Sequence, residues 1–139
     1  MIKWGGWVLV VLGAGHMLIT LALVAPSAVG AWFGKGVWGE DSAAMSQADA
    51  AYWLSLGSFG VPLIVIGLMV LWLDRRDIVP PSFVAWTVGI WSLLGAVIFE
   101  PAPWPIAWIA AGLLLAGARR ARTTRAMAGD SNTDTPPVA

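Results

Sequence analysis

No cysteine occurs in this chain. That excludes disulfides, thiolate nucleophiles and Cys-ligated zinc or iron–sulfur centres. Histidine is nearly as scarce, with His16 alone. One histidine cannot supply both axial ligands of a b-type haem within a chain. Zinc needs three or more protein ligands, and no cluster with His16 provides them. Charge is the next shortage. Lys and Arg number 8, Asp and Glu 8, and charged residues make up 12% of the 139, against about 25% in a soluble domain. No basic face suits a nucleic-acid partner, and no serine–histidine–acid pattern or phosphate-binding glycine loop is present. No metal and no cofactor is expected, and no catalytic residue is assigned.

What is abundant is apolar. Hydrophobic residues make up 58% of the chain, mean hydropathy is +0.76, and there are 10 tryptophans, a residue that favours the membrane–water boundary. Four apolar segments stand out, at about 4–25, 51–73, 82–99 and 104–118. A helix needs about 20 such residues to cross a bilayer, with about 17 as a lower limit. The first two segments meet this. The third is near the limit, and the fourth needs residues 101–105 in its first turn or a thinned bilayer. With four spans and the N-terminus inside, Lys3, Arg75, Arg76, Arg119, Arg120, Arg122 and Arg125 lie in the cytoplasm and only Lys35 outside. That is a strong positive-inside bias. The expected fold is therefore all-α, an integral membrane four-helix bundle over 1–118 with both termini cytoplasmic, followed by a basic, then disordered, tail over 119–139. A cleaved signal peptide is disfavoured, because a signal core is about 7–15 residues and Trp4–Ala25 is longer and contains His16.

Local signals place the helix starts. Ser46-Gln47-Ala48-Asp49 has capping-box spacing and predicts a start there. Pro80-Pro81 predicts a third helix from about Ser82. Pro62 predicts a kink in the second span, freeing the carbonyl of Ser58. Small residues fall in stripes that predict close helix contacts: Gly6, Gly13 and Thr20; Gly57, Gly60 and Gly67; Ala85, Gly89, Ser92 and Ala96; Ala107, Ala111, Gly112 and Ala116.

Polar side chains gather in the outer half of the expected bundle: His16, Thr20, Tyr52, Ser55 and Ser58, with Glu100 at the outer edge. A titratable ring inside an apolar span needs a reason to be there. One reading makes His16 the floor of an outward-facing cavity that exchanges a proton or orients a polar headgroup. The other has it hydrogen-bond Thr20, a serine of span two or a backbone carbonyl, fixing helix register.

Gly13-Ala14-Gly15-His16 in the first span, the aromatic loop around Trp32 and Trp38, Tyr52-Trp53 opening the second span and the basic end of the fourth together resemble a family of small bacterial four-span membrane proteins. That family is known only as a domain of unknown function. The resemblance covers about 3–120, supplies no catalytic residues, and is shared more distantly with the DoxX-like group. Small multidrug-resistance carriers have similar length and span number, but they carry a carboxylate inside the first span where this chain has His16. The expected role is that of a non-enzymatic accessory or scaffold, or of a protein binding a lipid-like ligand in a bacterial inner membrane. Its expected partners are membrane lipids and a larger complex or homo-oligomer. The alternative is a small proton-coupled transporter or permease using His16. A third reading is an enzyme acting on lipid or quinone near Tyr52, Ser55 and Ser58.

Overall fold

The structure is a computed structural model that describes residues 1–39, 44–98 and 104–130. Glu40, Asp41 and Glu100 lie outside the described residues. Among those described, every regular element is helical. The helices are α1 (Ile2–Leu23), a 3-10 turn (Ala25–Ser27), α2 (Val29–Phe33), α3 (Gln47–Leu54), α4 (Gly60–Asp74), α5 (Ser82–Ile98) and α6 (Trp104–Asp130). By length and composition, α1 is the one helix among the described residues clearly able to cross a membrane, and a signal sequence would pass the same test. The apolar helices α4 and α5 are shorter, at 15 and 17 residues.

Two starts fall where local chemistry placed them, and a third falls at the edge of an apolar segment. Ser46 caps α3, its hydroxyl accepting from the N–H of Asp49 at 3.1 Å. Helix α5 begins at Ser82 after the proline pair, and α6 begins at Trp104. Two features differ. The segment at 51–73 is not one helix. It is broken between Leu54 and Gly60. Pro62 is then the third residue of a new helix, where its missing N–H has no intrahelical partner to lose, so no kink is required. Second, α6 does not stop at 118. It continues to Asp130, so 119–130 is helical rather than disordered. The reason is local, since alanine and arginine are among the better helix formers.

The chain divides into two compact units, Leu9–Leu68 on one hand and Met1–Val8 with Met69–Ala139 on the other. In the first unit, α1 packs on α4 through glycine. A Cβ on Gly13 would stand 2.6 Å from the carbonyl oxygen of Gly60, and one on Gly60 would stand 2.6 Å from Cγ of Met17. In the second unit, Gly6 faces Val70 and Leu71, while Gly5 faces Leu114. There α5 and α6 run antiparallel, with Gly95 against the Trp104 ring and Gly89 against Ala111. Ala85, Ser92, Ala107 and Ala111 are buried, as the stripes predict, but Gly112 is exposed. The buried face of α6 runs instead through Ala107, Ala110, Ala111, Leu114 and Ala118.

Small residues sit in the buried contacts beside Leu9, Leu63, Val70, Leu71 and Leu114, while many large apolar side chains face outward. The largest side chains buried to below 2% exposure are Leu9, Val70, Ser55 and Ser92. Leu18, Leu23 and Val97, by contrast, are 71%, 77% and 77% exposed.

The glycine contacts make a paired test. Gly13→Ala forces its methyl into backbone and is expected to cost about 1–3 kcal/mol, the usual range for overpacking. Gly15, on the same helix, has nothing within 4 Å of an added Cβ. Gly15→Ala is expected to be neutral or to stabilise by about 0.5–1 kcal/mol through helix propensity. Unfolding curves in detergent separate the two, and equal effects would contradict the packing described.

Candidate functional site

The break between α3 and α4 creates the site. A helix end leaves its last four carbonyls without intrahelical partners. Here two are met locally. Ser55 is fully buried, and its Oγ donates to the Ala51 carbonyl at 2.6 Å, alongside its own N–H. The N–H of Gly57 donates to Tyr52 O at 2.9 Å. The carbonyl of Leu54, the last residue of α3, is met from another helix: Nε2 of His16 on α1 lies 3.2 Å from it. A carbonyl oxygen only accepts, so Nε2 carries the proton. The ring therefore caps α3 from outside it, a role basic side chains take at helix C-termini.

Nε2 also lies 3.0 Å from Ser58 Oγ. The serine has a consistent set of partners. Its oxygen accepts from His16 and from the N–H of Gly60 at 3.3 Å, and its hydroxyl donates to Met17 Sδ at 3.9 Å. One side chain thus ties α1, the broken segment and the first turn of α4 together. The His16 ring lies in close contact with Phe59, centroids 4.1 Å apart and the planes tilted by 33°. The ring is half-buried.

The other expected residues divide. Thr20 follows His16 by one turn, but its hydroxyl donates to the backbone carbonyl of His16 at 2.9 Å rather than to the ring. Ser55 is a buried cap of its own helix. Tyr52 is exposed and belongs to an aromatic cluster, edge-on to Trp32 and Trp53 at 6.3 and 5.5 Å. Trp32 Nε1 donates to Ala48 O at 2.8 Å, fastening α2 to α3. Glu100 is outside the described residues. His16 and Ser58 are therefore brought together, and Leu54 O and Phe59 join them. Sequence reasoning missed those two: the carbonyl matters only once the helix breaks, and an apolar ring in an apolar run carries no signal. Among the described residues, no three acidic or histidine side chains group as a metal ion would need.

Residues 1–122 match the model of a family of unknown function, DUF6463. The chain belongs to that family. No curated protein and no solved structure matches it. For this DUF6463 chain, chemistry must be read from the geometry.

The energetic claim is testable by a double-mutant cycle. His16→Leu leaves Leu54 O without its donor and is expected to cost about 0.5–1.5 kcal/mol. His16→Gln keeps an N–H donor and should cost less. The coupling between His16 and Ser58, from His16→Leu, Ser58→Ala and the double variant, should fall at about 0.6–1.7 kcal/mol, the span found for hydrogen bonds between membrane helices. A coupling of zero would mean that the 3.0 Å contact contributes nothing.

Proposed function

We propose that this DUF6463 chain is a non-enzymatic, multi-pass protein of a bacterial inner membrane that binds lipid-like molecules and serves as an accessory or scaffold subunit. The observation that carries the reading is the outward placement of many large apolar side chains. Helices in lipid gain nothing by hiding leucine from their surroundings, and they associate through close packing of small residues. A soluble protein rarely exposes apolar surface on this scale. Leu18, Ile19 and Leu23 on α1, and Val97 and Ile98 on α5, are outward-facing, while glycines admit the close contacts with Gly60, Val70, Leu71, Leu114 and Trp104. The positive-inside bias supports four crossings with both ends in the cytoplasm. Helix α4 alone is about 22 Å long at 1.5 Å per residue, short of a 30 Å hydrocarbon core, and α3 with the break supplies further depth. The packing of Gly13 and Met17 against Gly60 supports α1 as a retained span rather than a removed signal.

A lipid-like ligand finds its best support in a groove on α5 and α6 rather than over His16. The groove has a volume of about 420 Å³, within the range of small-molecule sites. Its floor is small, with Ala85, Gly89 and Gly112, and Trp86 and Trp108 stand at its sides. That shape suits an acyl chain.

A second reading, a small proton-coupled permease, has one observation in its favour. His16 is half-buried at a broken helix, and discontinuous helices line the substrate sites of many transporters. On the leading reading His16 is a structural cap. Reconstituted wild type and His16→Gln should then leave an imposed pH gradient across liposomes equally intact. Loss of the gradient in wild type alone would favour the permease.

The absence of cysteine makes topology directly measurable. A single cysteine at Lys35 should react with an impermeant maleimide on intact cells, and one at Arg122 only after permeabilisation. Labelling of both from the same side would refute an even number of crossings. Native mass spectrometry from mild detergent should show retained lipid or a partner, and a bare monomer would count against the binding role.

A further inference from the structure

At the start of α1 and the end of α4, a cavity of about 230 Å³ is lined by Lys3, Trp7, Leu71, Asp74 and Arg75. Its residues sort by level. Trp7 is four residues from Lys3 on one helix, and Leu71 is four from Arg75 along the neighbouring chain. Each pair is separated by one turn, about 6 Å. The cavity thus has a charged rim and an apolar floor, with a tryptophan at the boundary between them.

The charges in the rim are not satisfied by one another. Among the described residues no ion pair within 4.0 Å joins Lys3, Asp74 or Arg75. Arg76, the next cation, is engaged elsewhere, with its guanidinium 4.3 Å from the ring centre of Trp72. Asp74 is the more telling group. It is the last residue of α4, where the helix dipole disfavours a negative charge. It is half-buried. A carboxylate held at that position with no protein cation within 4.0 Å can take an external one between itself and the rim.

We propose that this cavity binds the headgroup of an amine-bearing phospholipid, of the phosphatidylethanolamine type, in the cytoplasmic leaflet. Lys3 and Arg75 take the phosphodiester, Asp74 accepts from the primary ammonium, and Trp7 and Leu71 meet the glycerol and upper acyl carbons. Basic pockets at the cytoplasmic end of membrane helices take lipid phosphates, and Asp74 adds a reader for the amine. The inference rests on the membrane reading above and adds a headgroup to it.

The test is native mass spectrometry of the full chain in detergent, titrated with phosphatidylethanolamine, its mono- and dimethylated derivatives, phosphatidylcholine and phosphatidylglycerol of matched acyl chains. Wild type should bind phosphatidylethanolamine about three- to fivefold more tightly than phosphatidylcholine or phosphatidylglycerol, as for a partly exposed charge pair. Affinity should fall stepwise as N–H donors are methylated away. Asp74→Asn should remove the preference, and Lys3→Gln with Arg75→Gln should weaken all phospholipids alike. The methylation series uses only wild type, so it decides the matter even if a variant fails to fold. Equal binding of all headgroups, or preference for phosphatidylglycerol, would overturn the inference and leave the membrane reading standing. Binding of no lipid at all would overturn both. Displacement of the lipid by an equal concentration of glycerophosphoethanolamine would assign the site to a soluble ligand and overturn the lipid.

Discussion

A carbonyl left over at the end of a helix has to be met by a donor wherever water cannot reach it. In a bilayer that condition would fall on Leu54 O, which the ring of His16 on a different helix meets. Much else depends on this one bond. It allows α3 to stop, and Ser55 and Gly57 take two nearby carbonyls. It draws Ser58 into place, and Ser58 in turn receives the first N–H of α4. It also sets the height at which α1 lies against α4, where Gly13 meets Gly60 with no room for a side chain on either.

Glycine at that crossing and the break beside it belong together. If lipid surrounds the helices, burying a leucine adds little, and the available gain is dispersion between closely approached backbones. Close approach is possible only where side chains are absent, and it fails if the helices slide. A directional bond resists sliding better than an apolar contact does. The energy of the His16 bond is small on the scale of a whole fold, but its geometric restraint acts where glycine packing needs it.

Much of this was legible in the sequence, and the exceptions have physical causes. Ser46 and the Pro80-Pro81 pair mark helix starts because caps and proline act within one turn, and the structure places starts there. Gly6, Gly13, Ala107 and Ala111 lie on buried faces because a seven- or four-residue step holds direction around a helix. Gly112 breaks the rule: size says a residue can be buried, not that a neighbour stands over it. The break at 55–59 was not legible, because hydropathy does not register where hydrogen bonds stop and Pro62 is compatible with either a kink or a fresh start. The helix over 119–130 was missed for the converse reason, since a polar composition was read as disorder although its residues favour helix. For the site, a serine or backbone carbonyl was an expected partner of His16. That both would serve, and that Ser55 would be consumed by its own helix, required the break to be known.

The C-termini of α3 and α4 present the same electrostatic problem and meet it in different ways. Each ends with carbonyl dipoles that make the region negative. At α3 the chain supplies a donor, the Nε2–H of His16. At α4 the backbone N–H groups of Arg75, Arg76, Asp77 and Ile78 meet the terminal carbonyls, yet Asp74 adds a negative charge at that end. Arg75 and Arg76 follow at once, yet Arg76 lies over Trp72 and Arg75 makes no ion pair among the described residues. The acid at 74 is therefore poorly explained by helix stability, whereas an ammonium arriving from the bilayer would give it the counter-charge that the fold withholds.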